Sequence, residues 1–289
     1  MIDGVPADRP LPVVLSIAGS DSGGGAGIQA DLKAFARAGV HGATAITAIT
    51  AQNTIGVQAV GVVAPALVQA QARAVIGDLG VDAVKIGMLG DGATIEAVAQ
   101  VLDELAPGTP IVHDPVMIAE SGARLLAPEA LATLVELIVP RATVLTPNLP
   151  EARTLVGAED LDGEELLRAV HALGCAHVVV TGGHREEAVD LHFDGETFTS
   201  VPGERFPDGA AHGSGCTHAS TLAAQLALGL TPLQAARVAR CVAGEAVRDG
   251  LRGLGSGPGP VDVLGLRGRR ARQAPAPAPT RVSARAALA

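Results

Sequence analysis

Short β-branched runs alternate with longer Ala/Leu-rich stretches of helical period along nearly the whole chain, and this rhythm constrains the fold most. A strand that leads into a helix and then into another strand returns parallel to itself. The pattern therefore predicts an α/β fold, a mainly parallel sheet covered by helices on both faces. Residues 13–19 (VVLSIAG), 44–50 (TAITAIT), 57–63, 83–87, 111–114, 142–148 and 177–183 read as strands. Residues 27–38, 65–79, 93–105, 128–138, a short stretch after Pro150, 163–173, 216–229 and 232–249 read as helices. The runs AVDLHF and ETFTSV, joined by Asp194-Gly195, read as a β-hairpin.

Composition closes off several functions. Four Phe with neither Trp nor Tyr cannot build an aromatic platform for single-stranded nucleic acid. A formal charge of −9 disfavours binding to a phosphate backbone. Cys175, Cys216 and Cys241 form no CxxC, so neither a disulfide framework nor a metal cluster is indicated, and the chain reads as cytoplasmic. No signal peptide is legible in residues 1–12, an N-terminal extension. Residues 42–72 and 209–236 carry no Asp, Glu, Lys or Arg. Polar residues and prolines break both, so they are expected to be buried parts of a soluble protein with no membrane contact. One domain spans 13–265. From 266 the chain is acid-free, Arg/Ala/Pro-rich and expected to be disordered.

Three segments carry chemistry. In SIAGSDSGGGAGIQADLKAF, Gly25-Ala26-Gly27-Ile28-Gln29-Ala30 formally fits the dinucleotide fingerprint with Ala last. That reading needs a ribose-binding acid about 20 residues on. After Asp31 the next acid is Asp78, so it fails. No Walker A motif is present either. The turn either packs a helix against the sheet or presents Asp31 to a small polar ligand. In AHGSGCTHAS, Gly213, Ser214 and Gly215 precede an uncharged apolar helix, an arrangement that presents free N–H groups as an anion hole for a transferred phosphoryl group. Cys216 lies in the first turn, where a thiol pKa tends to fall; a small core residue is the alternative. Asp114, Asn148 and Glu151 fall at carboxyl ends of predicted strands, the ligand-binding edge of open α/β sheets. Asn148 and Glu151 stand one turn apart, suited to hydrated Mg²⁺ beside phosphates. His113, His184, His212 and His218 have no metal-ligand spacing.

IAGSDSGGGAGIQADLKAF, ITAQNT, KIGMLG, DPVMIAESGARLL, LTPNLPEA, VVVTGGH and HGSGCTHAS occur in one order. Together they resemble bacterial hydroxymethylpyrimidine/phosphomethylpyrimidine kinases of the ribokinase-like superfamily, from about Leu15 to Val263. The resemblance implies a three-layer α/β/α fold, a place in thiamine biosynthesis, ATP and Mg²⁺ as cofactors, and a homodimer. It implies a pyrimidine pocket at Gly19, Asp31, Gln52 and Met88, and an anion hole from Gly213 to Cys216. Asn148, Thr181 and Gly183 would face ATP, Asp114 and Glu151 the metal, and 255–261 would close over the adenine side. Glu120 and Thr181 stand where lysines are common in that family, and Ala210-Ala211 replace its usual Asn-Thr.

The implied reaction is two successive phosphoryl transfers from MgATP, first to the hydroxymethyl group of an aminopyrimidine and then to the monophosphate. A related pyridoxal kinase is the alternative. Gln52 favours the pyrimidine, because an amide donates and accepts together, matching a ring nitrogen beside an amine. A non-catalytic pyrimidine-binding protein is the alternative of another class.

Overall fold

The computed structural model describes residues 9–119, 122–184 and 188–273. The elements in chain order are β1 (Val13–Ala18), α1 (Gly27–Ala38), β2 (His41–Ile46), β3 (Ala48–Gln52), β4 (Val57–Val62), α2 (Pro65–Asp78), β5 (Ala83–Ile86), α3 (Gly92–Leu102), β6 (Ile111–His113) and α4 (Ala130–Leu137). There follow β7 (Val144–Leu145), α5 (Leu149–Val156), α6 (Gly163–His171), β8 (His177–Val180), β9 (Asp190–Phe193), β10 (Phe198–Val201), α7 (Ser214–Ala227), α8 (Pro232–Arg248) and α9 (Leu266–Gln273).

Eight strands form one sheet in the order β10-β9-β8-β7-β6-β5-β1-β2. It is parallel from β2 to β8, with β9 and β10 antiparallel at one edge. Side chains alternate across it. Leu15, Ile17, Val84, Ile86, Val178 and Val180 pack into one core with α2 to α6, while Val14, Ala83, Val112, Val144 and Val179 pack into a second core with α1, α7 and α8. The expected three-layer α/β/α architecture is present. The chain leaves β1 for β2 on one side and returns to β5 on the other, so the crevice of the sheet opens between the carboxyl ends of β1 and β5.

Four expectations are corrected. The run TAITAIT is not one strand but two, broken at Thr47, whose hydroxyl donates to the Met88 carbonyl at 2.6 Å. Beyond that break β3 pairs antiparallel with β4 in a separate two-stranded sheet. Residues 42–72 are consequently not buried throughout: Ile49 is 61 % and Ile55 67 % exposed, and Val60, Val62 and Leu67 are exposed as well. Among the described residues, Ile49 and Ala51 of β3 and Ala59 and Gly61 of β4 form an exposed face of the small sheet. The other charge-free stretch is buried along α7. The hairpin between β9 and β10 turns through four residues rather than two, since Phe193 pairs with Phe198 and the Asp194 side chain accepts the N–H groups of Glu196 and Thr197. Finally, the Arg-rich segment begins as helix α9, because the Asp262 carboxylate accepts the N–H groups of Leu266 and Arg267 at 2.8 and 3.0 Å. The expectation of disorder for 274–289 lies outside the described residues. Among those described, no helix is long and apolar enough to cross a membrane.

Candidate active site

Parallel strands all point their carboxyl ends the same way, so one edge of the sheet receives most of the residues the sequence singled out. Gly19 follows β1, Met88 follows β5, Asp114 follows β6, Asn148 follows β7 and Thr181 follows β8. Gly19 and Met88 are neighbours: a Cβ on Gly19 would stand 3.1 Å from the Met88 sulfur. Asn148 and Thr181 form a parallel bridge. Gly183, exposed, lies in the 3-10 turn Gly182–His184 just beyond. Glu120 lies outside the described residues.

The glycine-rich turn is shaped by Asp21, which the sequence reading overlooked. Its carboxylate is buried and accepts the N–H groups of Gly23, Gly25 and Ala26 at 2.8, 2.9 and 2.8 Å. It also meets His212 Nε2 at 2.9 Å. Burial opposes ionisation of Asp21, but His212 and the N–H donors outweigh it and hold the carboxyl below its ordinary range. An Asp two residues before a Gly is an Asx-turn signal, so this role was legible. The contact also ties the turn to the loop that opens α7. Gly213 has φ +87°, and a Cβ there would sit 1.8 Å from the Gly25 carbonyl oxygen. Only glycine fits at that crossing.

No side chain caps α7. The Ser214 N–H is taken by the Ala211 carbonyl at 2.9 Å, and among the described residues no backbone carbonyl takes those of Gly215 and Cys216. The expected anion hole therefore narrows to these two N–H groups at the positive end of the helix dipole. Cys216 is half-buried, with Gly27 of the glycine-rich turn near its sulfur. The expectation of an acidified thiol is not met. Burial pushes the Cys216 thiol up to about 12, with Asp114 and Asp31 adding to the rise and Lys85 opposing it.

Asp31 is placed differently from its expected role in the pyrimidine pocket. Helix α1 begins at Gly27, so Asp31 stands in its second turn and faces the sheet. Its fully buried carboxylate accepts Ser16 Oγ and Ser220 Oγ at 2.6 Å each and Lys85 Nζ at 3.0 and 3.2 Å. Every acceptor direction of the carboxylate is met by protein, which leaves none for a ligand. Lys85, also overlooked, is fully buried; burial opposes its charge, but Asp31, Cys216 and Asp114 together hold its pKa above the ordinary value.

Gln52 ends β3 and lines a cleft with Asn53, Thr54, Ala119, His212 and Pro258. The cleft places Gln52 beside the entrance to α7. Residues 255–261, expected on the adenine side, pack against Thr54 of this cleft: Cβ atoms on Gly255 and Gly257 would lie 2.2 and 1.8 Å from Thr54 atoms.

Asn148 and Glu151 serve the fold as a capping box at the start of α5. Each side chain accepts the other's backbone N–H at 2.9 Å. Glu151 and Asp114 are nonetheless buried and electrostatically coupled. Burial and the Asp114 charge push Glu151 up to about 8; burial raises Asp114 to about 6 against the pull of Lys85. Among the described residues no group of three or more His, Cys, Asp or Glu could hold a metal. Two oxygen donors whose ionisation burial holds back, and which a bound cation would keep charged, do fit Mg²⁺, which keeps its waters and shares few carboxylates with bound phosphates.

The sequence model for phosphomethylpyrimidine kinase matches residues 21–262. A hydroxymethylpyrimidine/phosphomethylpyrimidine kinase of Rhizobium meliloti is 48 % identical over 255 residues, 85 % of this chain and 95 % of the relative. The solved phosphomethylpyrimidine kinase of Clostridium difficile is 39 % identical with a TM-score of 0.70, over 79 % of this chain and 96 % of that one. The pyridoxal kinase of Staphylococcus aureus, solved with AMP-PCP and pyridoxal, is 32 % identical with a TM-score of 0.79, over 88 % and 94 %. A match through both the glycine-rich turn and the α7 entrance, at this identity and coverage, shows that the chain belongs to the phosphomethylpyrimidine kinase family.

Proposed function

We propose that the protein transfers phosphoryl groups from MgATP to 4-amino-5-hydroxymethyl-2-methylpyrimidine and then to its monophosphate, a step of thiamine biosynthesis. One observation carries this reading. Gln52, whose amide suits an aminopyrimidine edge, shares a cleft with His212 at the mouth of the helix that carries Gly215 and Cys216. The relative from Rhizobium meliloti bears the corresponding name.

Phosphoryl transfer passes through a loose transition state, so positioning and charge stabilisation outweigh early deprotonation of the alcohol. That suits a site whose candidate base, Cys216, is a protonated thiol at neutral pH. The Gly215 and Cys216 N–H groups face charge developing on the phosphoryl oxygens. Asp114 and Glu151 would hold Mg²⁺, which supplies charge neutralisation when bound. Asn148 and Thr181 border the same edge, on the ATP side.

Pyridoxal is the second reading, favoured by the fold likeness to the Staphylococcus aureus enzyme. ATP turnover with each of the two pyrimidines and pyridoxal, products resolved, decides between them. Turnover of both pyrimidines with weak pyridoxal use is expected; pyridoxal as best substrate overturns the assignment of the cleft, and binding without turnover makes the protein a non-catalytic carrier. The protein works in the cytoplasm as a homodimer. The exposed face of β3–β4 that carries Ile49, with Ala51 and Ala59, is the natural surface to pair with a second copy. Ile49→Glu is then expected to yield a monomer in sedimentation.

A further inference from the structure

A lysine inside a parallel strand is an expensive residue, since an unpaired ammonium in the core costs several kcal/mol. All four residues of β5 are buried, and Lys85 is the one that is not apolar. Its surroundings are built around it. Ser16 of β1 is its direct register partner, so both side chains rise from the same face of the sheet, under α1 and α7. Asp31 comes down from α1 and Ser220 from α7 to close the network.

The ammonium does not stop over its own Cα. Gly87 follows two residues later on the same face, and a Cβ there would lie 2.8 Å from Lys85 Nζ. The side chain therefore runs along the strand, through space that glycine leaves, toward the carboxyl edge. Asp114 stands at that edge on the adjacent strand, its N–H bonded to the Ile86 carbonyl at 2.9 Å. Asp31 lies one helical turn beyond Gly27, and Ser220 one turn beyond Cys216. The bond between Asp31 and Ser220 thus fastens α1 to α7 one turn below Gly27 and Cys216.

We infer that Lys85 is a positioning residue for phosphoryl transfer: with Asp31 it forms a buried dipole, cationic end toward Asp114 and the α7 N-terminus, that fixes the two loops and keeps positive charge beneath the reacting phosphoryl group. Its electrostatic influence on both Cys216 and Asp114 exceeds that of Asp31, as that orientation requires. The catalytic part of this inference rests on the kinase reading; the orientation of the dipole does not. Among the described residues, the charged groups that act on Cys216 are Lys85, Asp114 and Asp31.

Alkylation of Cys216 by iodoacetamide, followed by mass spectrometry of the Cys216 peptide in the full-length protein, reads the dipole directly. Lys85→Met is expected to slow alkylation and Asp31→Asn to speed it, each by about tenfold. Loss of packing would move both rates the same way, so same-sign changes, or none, overturn the orientation. The charge-neutral pair Lys85→Met/Asp31→Asn leaves no unpaired buried charge and serves if either single variant fails to fold. Its kcat is expected to fall about 30-fold or more with substrate KM nearly unchanged, the split that marks lost transition-state stabilisation. A kcat within about threefold of wild type in that folded pair overturns the positioning role. Wild-type protein with no ATP turnover, measured alongside, would refute the kinase reading instead, and the alkylation signs would still decide the dipole.

Discussion

Gly213 and Gly25 cross backbone to backbone, with a would-be Cβ on Gly213 only 1.8 Å from the Gly25 carbonyl oxygen. This contact sets the distance between the glycine-rich turn after β1 and the N-terminus of α7. Gly213→Ala must both enter a left-handed φ and push the turn away. The expected result is a kcat loss of about 100-fold, comparable to losing one oxyanion-hole donor. Stability should fall by about 2 kcal/mol. Steady-state kinetics and thermal unfolding check the two together; a variant with wild-type kcat would separate the turn from catalysis.

Cys216 is the nearest candidate base to the anion hole, yet burial holds its thiol near 12. A thiol held mostly protonated gives only a modest share of general-base help, and the alcohol step alone calls on it. Cys216→Ala is therefore expected to slow the alcohol step more than the monophosphate step, whose nucleophile is already anionic. In single turnover we expect about tenfold in the first step and less than threefold in the second. Equal losses would assign Cys216 to packing alone.

Glu151 has two duties that a single substitution separates. Glutamine can still close the capping box with Asn148 but carries no charge. In metal-free protein the Glu151 pKa lies at about 8, raised from the ordinary 4.5. The folded state therefore binds the proton more tightly than the unfolded one, and the contribution to stability is full below 4.5 and lost as pH rises through 8. Metal-free Glu151→Gln should match wild type in melting temperature at acid pH and exceed it at alkaline pH. Its Mg²⁺ requirement for turnover should rise about tenfold, as one of two oxygen ligands weakens.

Asp21 has the opposite sign. Its folded pKa lies below the ordinary 3.8, so its stabilising contribution is complete above that value and is lost as pH falls through the folded pKa. Asp21→Asn removes this dependence and leaves several of the N–H donors at Gly23, Gly25 and Ala26 short of an acceptor. We expect a loss of about 2–3 kcal/mol at neutral pH. The difference from wild type should shrink in acid. A pH series of denaturant midpoints measures it, and a constant difference down to the acid limit would show that the charge of Asp21 does not matter.

The chain's own order of residues determined the layered α/β fold, because the switch between two-residue and helical periodicity is local chemistry. The glycine turn, Asn148–Glu151 and the Gly213–Cys216 entrance were legible for the same reason: each is a short-range backbone device with a compositional mark. Tertiary structure decided what local pattern cannot carry. Strand TAITAIT looked continuous, but the end of the main sheet at Thr47 splits it and leaves Ile49 exposed. Asp31 looked free for a ligand, until Lys85, 54 residues away, and Ser220, 189 residues away, filled its acceptor directions. The Cys216 thiol looked acidified by its helix, until burial among carboxylates outweighed the dipole. Burial and long-range charge depend on which distant segments arrive, and only the folded chain brings them together.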